Sequence, residues 1–316
     1  MTTIADRGIA AARSLETVSP PAWVGALVPG VLEARGAGAR TVEGESHALV
    51  SATIVGADAL GALDLQRAVC DVYVDILKAM RGLKASEPIR LWNFIPGIHA
   101  RMGDGDGGFL DRYMVFNAGR FAGYSEWYGD GDVGPRTATA TGIGHLGPDL
   151  VVHCLTGTTA GEAVENPRQV PAYRYSKRRG PMPPCFARAT RVEMGGRPML
   201  LVGGTASVRG ENSVNLGDVR AQALETFHNM ACLVGGDAVR GSDEATIRRA
   251  LARYRTLRVY CVHAADLERV RELVQGFFGD VEVEYRRADV CRRTLLVEIE
   301  GTAELVTKES AAVGGV

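Results

Sequence analysis

TLRVYCVH (256–263), DLERVRELVQGFFG (266–279), VEVEYRRADV (281–290) and RTLLVEIEG (293–301) form the most regular stretch of the chain. The first, third and fourth runs are rich in β-branched residues or alternate apolar with polar, which predicts strands. The second places Leu267, Val270, Leu273, Val274 and Phe277 on one helical face. Working back from it, SDEATIRRALARY (242–254) reads as a helix with Ser242 as its cap. GDVRAQALETFHNMACLVGG (217–236) reads as another, with Asp218 as N-cap and Gly235 as its stop. PMLLVGGTAS (198–207) is a strand running into a turn. Helices alternating with strands and ending in a strand pair predict an α+β fold, a mixed sheet with helices on one face.

The same order recurs further upstream. HALVSATIVG (47–56) predicts a strand, and ALDLQRAVCDVYVDILKAMRGL (62–83) a helix, with Val69, Val72, Tyr73, Ile76, Leu77 and Met80 three or four residues apart. PIRLWNFIPGI (88–98) is strand-like, RYMVFNAGRFAGYSEWYG (112–129) helical despite its two glycines, and GPDLVVHCLTG (147–157) a buried strand. The first forty residues, rich in Ala, Gly and Pro, read as a loosely structured lead-in. The expectation is therefore two lobes, residues 1–157 and 191–316, joined by a segment at 158–190. It rests on element order, since no residue-level repeat links them.

Composition narrows the function classes. The 316 residues are 46% hydrophobic, and 36 Lys plus Arg stand against 37 Asp plus Glu, which argues against a general nucleic-acid binder. No segment approaches the roughly 20 apolar residues of a membrane helix. The start carries Asp6, Arg7 and Arg13 in place of a signal-like apolar run. Six scattered Cys without a CxxC pair suit free thiols in a reducing cytoplasm.

Two motifs fail on context. Gly142, Gly144 and Gly147 spell G-x-G-x-x-G but lead into Pro148 and a strand, not into a helix N-terminus that would hold a dinucleotide phosphate. GDGDGG (103–108) opens like a calcium loop, yet Val115 stands where the glutamate ligand belongs, so a hairpin tip is expected. The histidines show no metal-binding spacing, and neither metal nor organic cofactor is expected.

Two features carry chemistry. ENPRQVPAYRYSKRRGPMPPCFAR (165–188) holds five Pro, which forbid regular helix, interleaved with Arg, Lys and Tyr. Such a run is either a solvated basic face or an anion pocket, with Arg for carboxylates and Tyr for hydroxyl contacts; its density suits a small dianion. The second feature is the last strand, where alternation puts Glu298 and Glu300 on one face and Val297 and Ile299 on the other. Those carboxylates either meet water on a half-exposed strand or stand at a cleft wall, where desolvation keeps one protonated as an acid. Periodicity leaves both readings open and does not separate Glu298 from Glu300.

RYMVFNAGRFAGYSEWYG, VENPRQVPAYRYSKRRGPMPPCFARATRV, LLVGGTASVRGENSV and ADVCRRTLLVEIEG together resemble the chorismatase family, the FkbO-like enzymes, over residues 90 to 301. The C-terminal part is similar to the RidA/YjgF fold, whose last strand carries a like EIE run; the Arg that RidA proteins use for a substrate carboxylate finds no match in spacing at Arg286 or Arg287. The family resemblance implies chorismate, a dicarboxylate, as substrate. It implies Glu298 as the acid that protonates the enolpyruvyl methylene, after which the ether breaks and pyruvate leaves. Tyr175, with Arg174, Arg188, Tyr173 and Arg168 around it, falls on the family's substrate-binding segment.

The branch-distinguishing positions fall on Gly204 and Cys291, which resemble the branch forming 3-hydroxybenzoate by intramolecular displacement; hydrolysing members carry Ala at the first. Cys291 lies seven positions before Glu298, so a turn or bulge near Arg292 and Arg293 has to bring the two to one side. Two alternatives stand beside this expectation: hydrolysis of chorismate to a dihydrodiol acid, and a non-catalytic carboxylate-binding protein of the RidA kind. A cytoplasmic enzyme without nucleic-acid or membrane partner is expected. Monomer and trimer both stay open, with the monomer favoured because a second lobe supplies the wall that RidA trimers take from a neighbour.

Overall fold

The computed structural model describes residues 18–30, 38–105, 108–129, 133 and 136–305. Along the chain come α1 (Ala22–Leu27), β1 (Arg40–Glu43), β2 (His47–Ile54), α2 (Ala62–Arg81), β3 (Glu87–Pro96), β4 (Arg101–Gly105), β5 (Gly108–Asp111), α3 (Arg112–Tyr128), β6 (Thr139–His145) and β7 (Leu150–Gly157). There follow β8 (Glu162–Val164), β9 (Ala189–Met194), β10 (Arg197–Ala206), the short β11 (Val208–Arg209) and β12 (Asn212–Ser213), α4 (Val219–Gly235), α5 (Glu244–Leu251), β13 (Tyr254–Cys261), α6 (Leu267–Phe278), β14 (Glu282–Arg287) and β15 (Val297–Glu304).

Two mixed sheets result. The first has the order β1-β2-β7-β3-β6 and the second β14-β13-β15-β10-β9-β8. Alternation along the strands sorts their side chains into separate cores. Val50, Ala52, Leu91, Ile95, Val152 and Cys154 of the first sheet pack with α2 and α3. Leu200, Val202, Leu257, Val259, Val297 and Ile299 of the second pack with α4 and α6. The opposite faces, with Leu49, Trp92, Phe94, Val151, Leu201 and Tyr260, meet in a third core between the sheets. The layers therefore run helix, sheet, sheet, helix. Each sheet has helices on one face, as the pattern predicts, and the other face is covered by the second sheet.

The two glycines of α3 are explained by helix packing. A Cβ on Gly119 would sit 2.4 Å from the Gln66 carbonyl oxygen, and one on Gly123 would sit 2.5 Å from the Tyr73 Cβ, so only glycine lets α3 lie this close to α2. Gly142 and Gly144 lie inside β6, pairing with Asn93 and Ile95 of β3, which takes them out of any phosphate-binding turn. GDGDGG falls on the β4–β5 hairpin, whose tip residues 106–107 lie outside the described residues.

Four local expectations need correction. The lead-in contains α1, because Val24 and Val28 are buried in the intersheet core and Trp23 meets Trp92 edge-on at 6.0 Å. Ser242 does not cap α5; Asp243 does, its Oδ1 accepting from the Thr246 amide at 2.9 Å. The last two strands are not a pair, since β13 lies between them, parallel to β14 and antiparallel to β15. PMLLVGGTAS does not run into a turn at its glycines, because β10 continues to Ala206 through a bulge.

No helix among the described residues is long and apolar enough to cross a membrane.

Candidate active site

The bulge in β10 builds the site. Val202 pairs with Gly301 and Thr205 with Ile299, so Gly203 and Gly204 together oppose the single residue Glu300. Gly204 is brought against the Glu298 side chain. A Cβ there would lie 1.9 Å from Glu298 Oε1. The φ of Gly204 is not positive, so it is this close approach, not backbone conformation, that calls for glycine.

Glu298 and Glu300 share the face of β15 turned toward the first sheet, and both are buried, at 3% and 2% exposure. Their surroundings differ completely. Glu300 accepts from Arg90 Nη2 at 2.5 Å, Thr141 Oγ1 at 2.5 Å, Trp92 Nε1 at 3.1 Å and the Tyr260 hydroxyl at 3.0 Å. Glu298 faces a cavity of about 260 Å³ lined by both halves of the chain. Burial pushes its carboxyl up to about 8, the neighbouring Glu300 charge adds to the rise, and Arg90, the Cys291 thiol and Arg292 oppose it. A carboxyl in that state holds its proton at neutral pH and is suited to donate it.

The loop between β14 and β15 brings Cys291 to Glu298. The Leu295 amide bonds the Arg292 carbonyl, closing a turn, and the Cys291 thiol comes to stand beside the Glu298 carboxyl. Burial, with Glu298 beside it, pushes the thiol up to about 12, so it stays protonated. Tyr113, at the start of α3, stands near both, and burial raises its phenol further above the ordinary range.

Six arginines, Arg120, Arg178, Arg179, Arg188, Arg292 and Arg293, also line the cavity, beside the carboxylate Asp111 and apolar residues such as Met114 and Phe186. Arg188 donates to the Tyr175 hydroxyl at 2.6 Å and to the Val170 carbonyl at 3.0 Å, and its Nε has no partner. The guanidinium groups of Arg188 and Arg292 lie 5.6 Å and 5.4 Å from the centre of the Tyr175 ring. Arg292 is held by the Glu211 carbonyl at 3.0 Å and Ser213 Oγ at 3.1 Å. Arg120 projects from α3, is only 1% exposed, and donates to Asn117 Oδ1 at 2.8 Å. No carboxylate among the described residues pairs with it, and its Nε is unpartnered. A buried guanidinium without a counter-ion is costly, and an anionic ligand would offset that cost.

An acid on one wall facing arginines on the others fits a small polyanion that breaks down on protonation, and the comparisons agree. Residues 29–156 match the family described as "Chorismatase FkbO/Hyg5-like, N-terminal". A 3-hydroxybenzoate synthase of Streptomyces hygroscopicus is 34% identical over 235 residues, 72% of this chain and 67% of that protein. The chain belongs to the chorismatase family. A chorismatase of Streptomyces rapamycinicus is likewise 34% identical, over 73% of this chain and 68% of that one. A chorismatase crystal structure at 1.08 Å superposes with a TM-score of 0.70 and 27% identity, covering 84% of this chain and 77% of that chain. RidA from an Antarctic Psychrobacter matches over 38% of this chain, with a TM-score of 0.28 and 16% identity.

Within this chorismatase fold, Glu298, Cys291, Gly204, Tyr175 and Arg188 all line the cavity. Arg168, Tyr173 and Arg174 are not among its lining residues. Arg168 is engaged elsewhere, donating to Glu225 and Asn229 at 2.8 Å each. Arg174 is exposed, 5.8 Å from the Tyr173 ring. Arg120 and Tyr113 escape sequence reasoning because they sit in a helix whose pattern reads as packing. The one available signal was an Arg amid the apolar and glycine positions of α3.

Proposed function

We propose that the chain converts chorismate to 3-hydroxybenzoate and pyruvate. The observation that carries this is the buried Glu298 facing a cavity lined by six arginines. Arginines hold the two carboxylates of the substrate. Glu298 gives its proton to the enolpyruvyl methylene, forming an oxocarbenium ion. The ring hydroxyl then displaces the pyruvyl oxygen, the C–O bond to the ring breaks, and pyruvate leaves. The proton shed by the hydroxyl returns the carboxylate to its acid form, and the arene oxide opens to the phenol. Atoms balance without water.

Two things support this branch over hydrolysis: the name of the relative from Streptomyces hygroscopicus, and Gly204, where a Cβ would strike the acid. The cavity draws its walls from both halves of one chain, which supports a monomer. Chromatography of products formed from chorismate in ¹⁸O-labelled water is the test. We expect 3-hydroxybenzoate free of label, with one pyruvate per chorismate. The dihydrodiol as sole product would overturn this reading in favour of hydrolysis, and absence of pyruvate would return the chain to a binding role.

A further inference from the structure

The second carboxylate of the last strand has no part in the chemistry just described, yet it is the most heavily bonded side chain near the site. Glu300 meets four donors, from β3, β6 and β13, and no acceptor. That is the surrounding of a carboxylate anion.

One of the four donors leads back to the acid. The Thr141 hydroxyl donates to Glu300 Oε2 at 2.5 Å, accepts from Arg90 Nη2 at 2.5 Å and accepts from the Gly204 amide at 3.0 Å. A hydroxyl has one proton and two lone pairs, so every bonding position of Thr141 is used and its orientation is fixed. The Gly204 amide is thereby tethered to the first sheet at the bulge residue that touches Glu298. Glu300 also stands two residues from Glu298 on the same strand face, roughly 7 Å along the strand.

We propose that Glu300 and Thr141 are positioning residues for Glu298: Glu300 supplies a fixed negative charge that keeps the acid protonated, and Thr141 carries its grip through the Gly204 amide to the place where the acid rests. This deepens the proposed reaction and rests on Glu298 being its acid. The charged and titratable groups around Glu298 act in opposite senses. Glu300 raises its proton affinity, whereas Arg90, Arg292 and the Cys291 thiol lower it. Tyr113, from α3, also faces it. Neutralising Glu300 removes the neighbouring charge that most raises the affinity and leaves Arg90 without its counter-ion, so both consequences lower it.

Two measurements separate this from a structural role. Infrared titration of the ligand-free protein follows the protonated carboxyl band that disappears in Glu298→Gln. It needs no turnover, so it holds even if chorismate is not the substrate. In wild type that band should titrate near 8. In Glu300→Gln it should titrate lower by at least about one pH unit. Should that variant not fold, Thr141→Val still decides on the tether, because it leaves the Arg90–Glu300 pair in place. Its kcat on chorismate should fall about 10-fold with KM within about twofold, since the acid is misplaced while the arginines are not. Thr141→Ser should restore the rate. An unchanged Glu298 titration in Glu300→Gln overturns the electrostatic part. An unchanged kcat in Thr141→Val, or failure of Thr141→Ser to restore it, overturns the tether.

Discussion

At the scale of single residues, Glu298 trades stability for a proton. Its carboxyl rises from an ordinary 4.5 to about 8, chiefly because burial penalises the anion. Below pH 4.5 the folded and unfolded chains both hold the proton, and the shift has no effect. Between 4.5 and 8 the unfolded chain releases it while the folded chain keeps it, so stability falls as pH climbs through that window and levels off above it. Glutamine has no proton to release. Glu298→Gln should therefore be more stable than wild type, by a margin that opens across the window to on the order of a few kcal/mol. The same variant should lose about 10²- to 10⁴-fold in kcat. Chemical denaturation at a series of pH values checks the first, and a margin that does not change with pH would mean the native carboxyl is ionised. Wild-type kcat/KM should hold at neutral pH and decline above 8, as the acid gives up its proton. Gly204→Ala probes the same carboxyl sterically. Its Cβ would claim space 1.9 Å from Oε1, so the acid must swing away. We expect kcat to fall about 10-fold and the dihydrodiol to appear among the products, both read from one chromatogram.

At the scale of elements, legibility followed how many sides of an element are covered. α2 and α6 bury one stripe, and their three- and four-residue spacing is plain in the sequence. β15 is covered on both faces, so its Glu298 and Glu300 read like the wet side of an ordinary strand, and nothing local shows that a second sheet lies over them. The bulge in β10 is equally hidden, because Gly203 and Gly204 look like a turn until β15 is laid beside them. Cys291 reaches Glu298 only through a turn in an irregular loop. The basic segment at 165–188 announced a pocket but not its membership. Arg188 turns inward to Tyr175 while Arg168 is engaged by Glu225, a residue of α4 far along the chain. Helix ends show the same limit on a smaller scale. Ser242 and Asp243 are both acceptable caps by type, and geometry chose the second. Asp243→Ala should lower the urea midpoint, whereas Ser242→Ala should leave it nearly unchanged, as for an ordinary exposed side chain. Urea unfolding of the two variants distinguishes them, and equal losses would place the cap elsewhere.

At the scale of the whole molecule, the site depends on two halves that share an interior. The acid comes from the second sheet, Arg120 and Tyr113 from the helix behind the first, and the third core fills the space between. Across that core Arg90 of β3 pairs with Glu300 of β15, both 2% exposed. Replacing Arg90 by Leu leaves Glu300 buried without its cation and should cost about 3–5 kcal/mol. Replacing both by Leu removes the stranded charge, so the double variant should be at least as stable as Arg90→Leu alone. The sequence suggests two lobes, and we propose that they unfold as one cooperative unit. All three tryptophans, Trp23, Trp92 and Trp127, lie in the first half. Tryptophan emission therefore follows that half, while far-ultraviolet circular dichroism follows the helices of both. In urea the two signals should trace one curve in wild type and shift together in Arg90→Leu. Curves that separate would mean that each sheet, with its own helices, is a domain with its own stability, and that the cavity between them is lost when the weaker half unfolds.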